Sequence, residues 1–96
     1  MTIEVRRSKL DLYYDIISAI NEESLSGEVR PTRVQHHCNM SYDKLSRYLK
    51  ELENKKLIQI PPFLVTEKGK KFLEDYYKIK NFVEEMKLEY LKEESI

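Results

Sequence analysis

Residues Pro31 to Ile58 read PTRVQHHCNMSYDKLSRYLKELENKKLI, and their punctuation decides the fold. Pro31 fixes a helix start, because the N–H it lacks has no partner in a first turn anyway. Val34 and Cys38 recur one turn apart and mark an inward face, which leaves Thr32, Arg33 and His36 outward. Asn39 suits a left-handed helix exit, Met40 an apolar plug, and Ser41 the N-cap of a second helix. Two helices joined through so tight a turn form a helix-turn-helix.

The second helix is expected from about Tyr42 to Lys55. Leu45, Leu49 and Leu52 form its core stripe, with Tyr48 at the edge. Asp43, Arg47, Lys50 and Asn54 then point outward, with Tyr42 and Ser46 on one flank and Lys44 on the other.

Upstream, Ser8 is the expected N-cap of a first helix reaching about Ser24. Leu12, Tyr13, Ile16, Ile17, Ala19 and Ile20 supply its buried stripe. Gly27 provides the exit conformation, and Glu28-Val29-Arg30 is read as a short strand. Downstream, Leu57 to Ile60 and Phe63 to Val65 are β-prone runs either side of Pro61-Pro62, which predicts a stubby hairpin with an irregular tip.

Thr66 caps a last helix, with Glu67 favourably placed in its first turn. Gly69 is expected to let that helix pack closely against the strand. The helical pattern continues without a breaker to about Glu94. Phe72, Tyr76, Ile79, Val83, Met86 and Tyr90 are spaced as a heptad seam. Such a helix must protrude from a compact head, whose radius of gyration would be only ~13 Å. A protruding apolar seam calls for a partner, and a symmetric homodimer is the expected one. The organisation is a head over residues 8–66 and a long coiled-coil helix over 66–94.

Composition bounds the rest. The 96 residues hold one small core, and 35% charged with 41% apolar residues suit a mostly helical chain. A single cysteine, Cys38, excludes an internal disulfide and fits a reducing compartment. No apolar run approaches membrane-spanning length, so an intracellular, cytoplasmic location is expected. Net charge is zero, yet it is polarised. Residues 30–56 carry seven Lys/Arg against three acids, a net of +4, while residues 72–96 carry four Lys against seven acids, a net of −3.

A basic outward face on the second helix of such a unit points to duplex DNA. Arg47 can reach guanine bidentately, and Lys50 and Lys44 suit phosphates. Ser41, Tyr42 and Ser46 lie where a helix N-terminus attracts phosphate, and Thr32, Arg33 and His36 would brace the backbone. Asp43 and Glu51 oppose this by repelling phosphate. Two other readings compete: a protein-interaction module in a larger assembly, and an architectural chromatin protein. His36-His37-Cys38 is too short a ligand set for a closed zinc site, and nothing sets a nucleophile beside a base. No metal, cofactor or enzymatic activity is therefore expected.

The ordered set Pro31-Thr32-Arg33, Tyr42, Leu45, Tyr48-Leu49, Lys55-Lys56-Leu57-Ile58 and Thr66-Glu67-Lys68-Gly69 resembles the small archaeal winged-helix DNA-binding proteins of about ten kilodaltons. The resemblance covers roughly Leu10 to Tyr90. It implies a mainly α (α+β) winged helix-turn-helix, dimeric through an antiparallel C-terminal coiled coil. It also implies double-stranded DNA as partner, the helix over 42–55 in the major groove, and a nucleoid-associated location. This chain departs in being neutral overall and in a wing reduced to Pro61-Pro62 with no basic tip. Both departures favour a transcription regulator over bulk compaction.

Overall fold

A computed structural model describes residues 7–91. Four α-helices and one two-stranded hairpin follow in the order α1 (Lys9–Ser24), α2 (Pro31–Cys38), α3 (Tyr42–Asn54), β1 (Ile58–Gln59), β2 (Leu64–Val65) and α4 (Glu67–Met86). Ser8 caps α1 in a reciprocal capping box: its Oγ accepts from Asp11 N–H at 3.0 Å, and Asp11 Oδ2 accepts from Ser8 N–H at 3.0 Å. Gly27 has φ 123° in the turn that leaves α1, a conformation that favours glycine.

The expected strand over Glu28–Arg30 does not form; the sheet holds β1 and β2 alone among the described residues. Val29 is instead buried in the core, and Pro31 offers no N–H to a ladder. The hairpin is antiparallel, pairing Ile58 with Val65 and Gln59 with Leu64. Its strands are each two residues long, shorter than the β-prone runs, and both proline peptides, Ile60–Pro61 and Pro61–Pro62, are cis.

The core gathers Tyr13, Ile16, Ile17 and Ile20 of α1, Val34 and Cys38 of α2, and Leu45 and Leu52 of α3, with Leu57 and Ile58 beneath. Met40, Tyr48, Leu49, Phe63 and Val65 pack half-buried around it. Each fully buried aliphatic side chain stabilises the head by roughly 1.5–3 kcal/mol. Gly69 is required where α4 meets β2. A Cβ there would lie inside the van der Waals reach of the Leu57 carbonyl oxygen and 2.8 Å from Val65 Cγ1.

α3 ends in a paired exit, with Lys56 N–H donating to Glu53 O and Leu57 N–H to Leu52 O, both at 2.9 Å. Thr66 then ties this exit to the start of α4. Its hydroxyl donates to Lys56 O at 2.6 Å and accepts from Gly69 N–H at 3.0 Å, while its own N–H donates to Leu57 O at 3.2 Å.

The last helix divides. Phe72 stacks on Tyr76 (centroids 5.7 Å apart, planes at 9°) and meets Tyr13 edge-on at 6.4 Å; Tyr76 in turn lies against Tyr14 at 5.2 Å and donates its hydroxyl to Asp11. These contacts dock the first half of α4 on α1. From Lys80 to Leu91 every described residue is exposed. The long extent is 55 Å against 31 and 25 Å, and the radius of gyration is 15.8 Å, so the helix stands out from the head. The expected unbroken α-helix is also corrected: after Met86 the backbone widens into a π-helical stretch over Lys87–Leu91. Residues 92–94, included in the expected coiled coil, lie outside the described residues. No described helix is long and apolar enough to cross a membrane.

Candidate nucleic-acid interface

Capping chemistry sets the angle between α2 and α3. Asn39 takes the left-handed conformation at φ 53°, and its N–H closes α2 on Gln35 O at 2.9 Å. Ser41 Oγ then accepts from Lys44 N–H at 3.2 Å and starts α3. Both devices use side chains that tolerate or satisfy what a plain helix end leaves strained or unpaired.

Residues of both helices are exposed on either side of this turn. Thr32, Arg33 and His36 line a shallow surface hollow with His37. An adjoining hollow runs over Gln35, His36, Asn39, Met40 and Ser41. Tyr42, Lys44, Ser46, Arg47 and Lys50 are all exposed on α3.

The charges on that face differ from those elsewhere. Lys44, Arg47 and Lys50 make no ion pair among the described residues. On α4 and the first residue beyond it, by contrast, Lys70, Lys71, Lys78 and Lys87 pair with Glu67, Asp75, Glu74 and Glu84 at 3.8, 3.3, 4.0 and 3.1 Å. Lys80 lies 5.4 Å above the Tyr14 ring. Helix α3 thus presents cations that make no ion pair among the described residues and share their face with Asp43, so they are available to an external anion.

Arg33 is the exception. Its Nε lies 2.9 Å from Glu23 Oε1, and His37 Nε2 lies 3.0 Å from Glu23 Oε2. The Glu23 side chain is only 11% exposed. A guanidinium held through Nε keeps its two terminal nitrogens for another acceptor. Glu23 therefore orients Arg33, a role with no local signal: the two residues are brought together only by the crossing of α1 and α2.

Glu51, expected to repel phosphate, is engaged elsewhere. It accepts from Tyr13 OH at 2.6 Å and pairs with Lys9 Nζ at 3.1 Å. The Tyr13 bond first, then the Lys9 bond, hold this carboxyl below its ordinary range. Tyr13 is correspondingly pushed up to about 12, mainly by burial and then by the bond to Glu51. Asp43 remains on the exposed face without an ion pair among the described residues.

Cys38 is buried, and burial, reinforced by the charge of Asp15, pushes its thiol up to about 11. His36 and His37 are exposed beside it. Among the described residues no group of three or more His, Cys, Asp or Glu is placed to hold a metal ion.

On α4, Phe72 and Tyr76 are spent on α1, whereas Ile79, Val83, Met86 and Tyr90 lie exposed, from 42% at Val83 to 74% at Tyr90. Phe82 belongs with them: it is exposed and lines a surface hollow with Glu85, Met86, Glu89 and Tyr90. A strict heptad reading passes over it, because it flanks the seam at the position before Val83.

A profile of the winged helix-turn-helix family matches residues 6–84. The chain belongs to that family. The match takes in both helices of the turn, the hairpin wing and most of α4. A search of curated proteins found no match. Membership in a winged helix-turn-helix family supports DNA as a partner.

Proposed function

We propose that this winged helix-turn-helix protein binds double-stranded DNA as a homodimer and acts as a transcription regulator in the cytoplasm, at the nucleoid. The observation that carries the reading is the face of α3 on which Lys44, Arg47 and Lys50 are exposed and make no ion pair among the described residues. Arg47 would contact a guanine edge in the major groove, with Lys50 and Lys44 on phosphates. Ser41, Tyr42 and Ser46 would meet phosphates near the N-terminus of α3. Thr32, His36 and the Glu23-held Arg33 would brace α2 on the backbone.

Dimerisation is assigned to the free half of α4. Ile79, Val83, Met86 and Tyr90 with Phe82 would bury against a second copy, continuing the seam that Phe72 and Tyr76 begin. The resemblance to small archaeal winged-helix proteins supports antiparallel pairing, which would hold the two heads apart. Overall neutrality and the proline wing support regulation over compaction.

Duplex binding measured across a salt series tests this. Each phosphate neutralised contributes about −0.9 to the slope of log affinity against log salt. Arg47→Ala with Lys50→Ala should lower affinity and flatten that slope. Unchanged binding in the double variant would sink the assignment of α3 and leave the protein-interaction reading.

A further inference from the structure

Lys56 occupies a backbone position that sterically favours glycine. It follows the C-cap of α3 with φ 63°, where the Cβ of an L-residue is crowded by its own backbone. The matching exit from α2 uses Asn39 at φ 53°, a residue that tolerates this region. Lys56 is exposed and makes no ion pair among the described residues. Neither packing nor a local carboxylate accounts for a lysine there. A strained backbone held firmly by its surroundings is a pointer to function, and here Thr66 holds it, through the 2.6 Å bond from its hydroxyl to Lys56 O.

Two more lysines share the joint between α3 and α4. Lys55 precedes Lys56, and Lys68 reaches back from α4 to donate from Nζ to Lys55 O at 2.9 Å. Neither makes an ion pair among the described residues, so three cations gather at this joint, with the Glu51 carboxylate, held low by Tyr13 and then Lys9, near enough to Lys55 to be lowered by its charge as well. The nearby wing tip is Pro61-Pro62 and has no basic residue. Reach is suitable too. α3 runs about 10 Å beyond Arg47 to its end at Asn54, at ~1.5 Å per residue, Lys56 lies two residues past that end, and the major groove is about 12 Å wide. A helix that puts Arg47 among base edges can therefore set Lys56 near the phosphates that bound the groove.

We infer that Lys55, Lys56 and Lys68 form a second phosphate-binding patch that takes the place of a basic wing. The inference rests on duplex binding by α3 and adds a separate foothold on the sugar-phosphate backbone.

The decisive variant is Lys56→Gly in the full chain, because the two effects it should produce have opposite signs. Relief of the left-handed strain raises the unfolding midpoint by a few degrees. Loss of one phosphate contact lowers duplex affinity up to about eightfold at 0.1 M salt and removes about 0.9 from the salt slope for each chain bound. Lys68→Ala should weaken binding in the same sense. A stabilised Lys56→Gly protein with unchanged affinity and slope overturns the patch. Arg47→Ala serves as control: affinity lost there but kept in Lys56→Gly and Lys68→Ala rejects the patch alone. A parent protein without salt-dependent duplex binding rejects both the patch and the role of α3.

Discussion

The two halves of α4 repeat the same apolar spacing and meet different fates. Phe72 and Tyr76, stacked on each other, are consumed inside the chain by edge-on and tilted ring contacts with Tyr13 and Tyr14 of α1. Ile79, Phe82, Val83, Met86 and Tyr90 continue the stripe into solvent. A heptad pattern records that a helix face needs covering and says nothing of what covers it. Here the first half of the stripe is covered by the head's own α1, and the second half stands exposed. Changes in the first half should therefore register as stability, and changes in the second as association.

The largest effect is expected at Phe72. Phe72→Ala removes a half-buried ring that contacts two tyrosines, and should cost about 3 kcal/mol of unfolding free energy. Denaturant unfolding at a concentration where the parent is monomeric isolates this from dimerisation. A loss below ~1 kcal/mol would show that α4 is not docked through its aromatic pair.

Val83→Asp probes the other half. A carboxylate in a self-association seam should raise the dimer dissociation constant at least about a hundredfold, equivalent to roughly 2.7 kcal/mol. The same variant should leave monomer stability within ~0.5 kcal/mol, because Val83 lies on an exposed surface of the single chain. Sedimentation equilibrium on both proteins checks it. A parent that sediments as a monomer removes the dimer from the proposal and leaves the exposed stripe for another protein.

The contrast also shows what a sequence can reveal. Pro31, Asn39, Ser41 and Thr66 start or end helices through backbone atoms within a turn of themselves, so those roles were legible from residue type and spacing, whereas the bond from the Thr66 hydroxyl to Lys56 O was not. The apolar stripe of α1 was legible for the same reason, since its period is a local property of one helix. The orientation of α3's basic face followed from Leu45 by geometry. What stayed hidden depended on contacts between elements. Glu51 looked like a repulsive acid until its partners, Tyr13 and Lys9 on α1, were brought against it. Glu23 gave no hint that it holds Arg33, and Val29 looked like a strand residue because burial and strand propensity favour the same side chains. Lys56 lay hidden in plain view, as its left-handed φ is imposed by the ties from Leu57 and Thr66.

The smallest expected effect is a pH response of the docked half. Glu51 has its carboxyl held below its ordinary range by Tyr13 and Lys9. A depressed folded-state value means that the stabilisation is present above the ordinary carboxylate value of 4.5 and disappears as pH falls through the lowered one. Tyr13 works from the other side. Its value is raised from 10.0 to about 12, so its contribution is complete below 10.0 and disappears as pH climbs toward 12. The bond between α1 and α3 therefore underlies an acid arm, and burial of Tyr13 together with that bond an alkaline arm, in the stability of the surface on which Phe72 rests. Glu51→Gln should remove the acid arm. It should shift the Tyr13 ionisation, followed by tyrosinate absorbance, only part of the way back toward 10.0, because burial is the larger cause. Complete reversion in that variant would show that the carboxylate, and not burial against Tyr48 and Phe72, governs Tyr13. The self-association of the free half should follow neither arm, since none of its apolar contacts involves this pair.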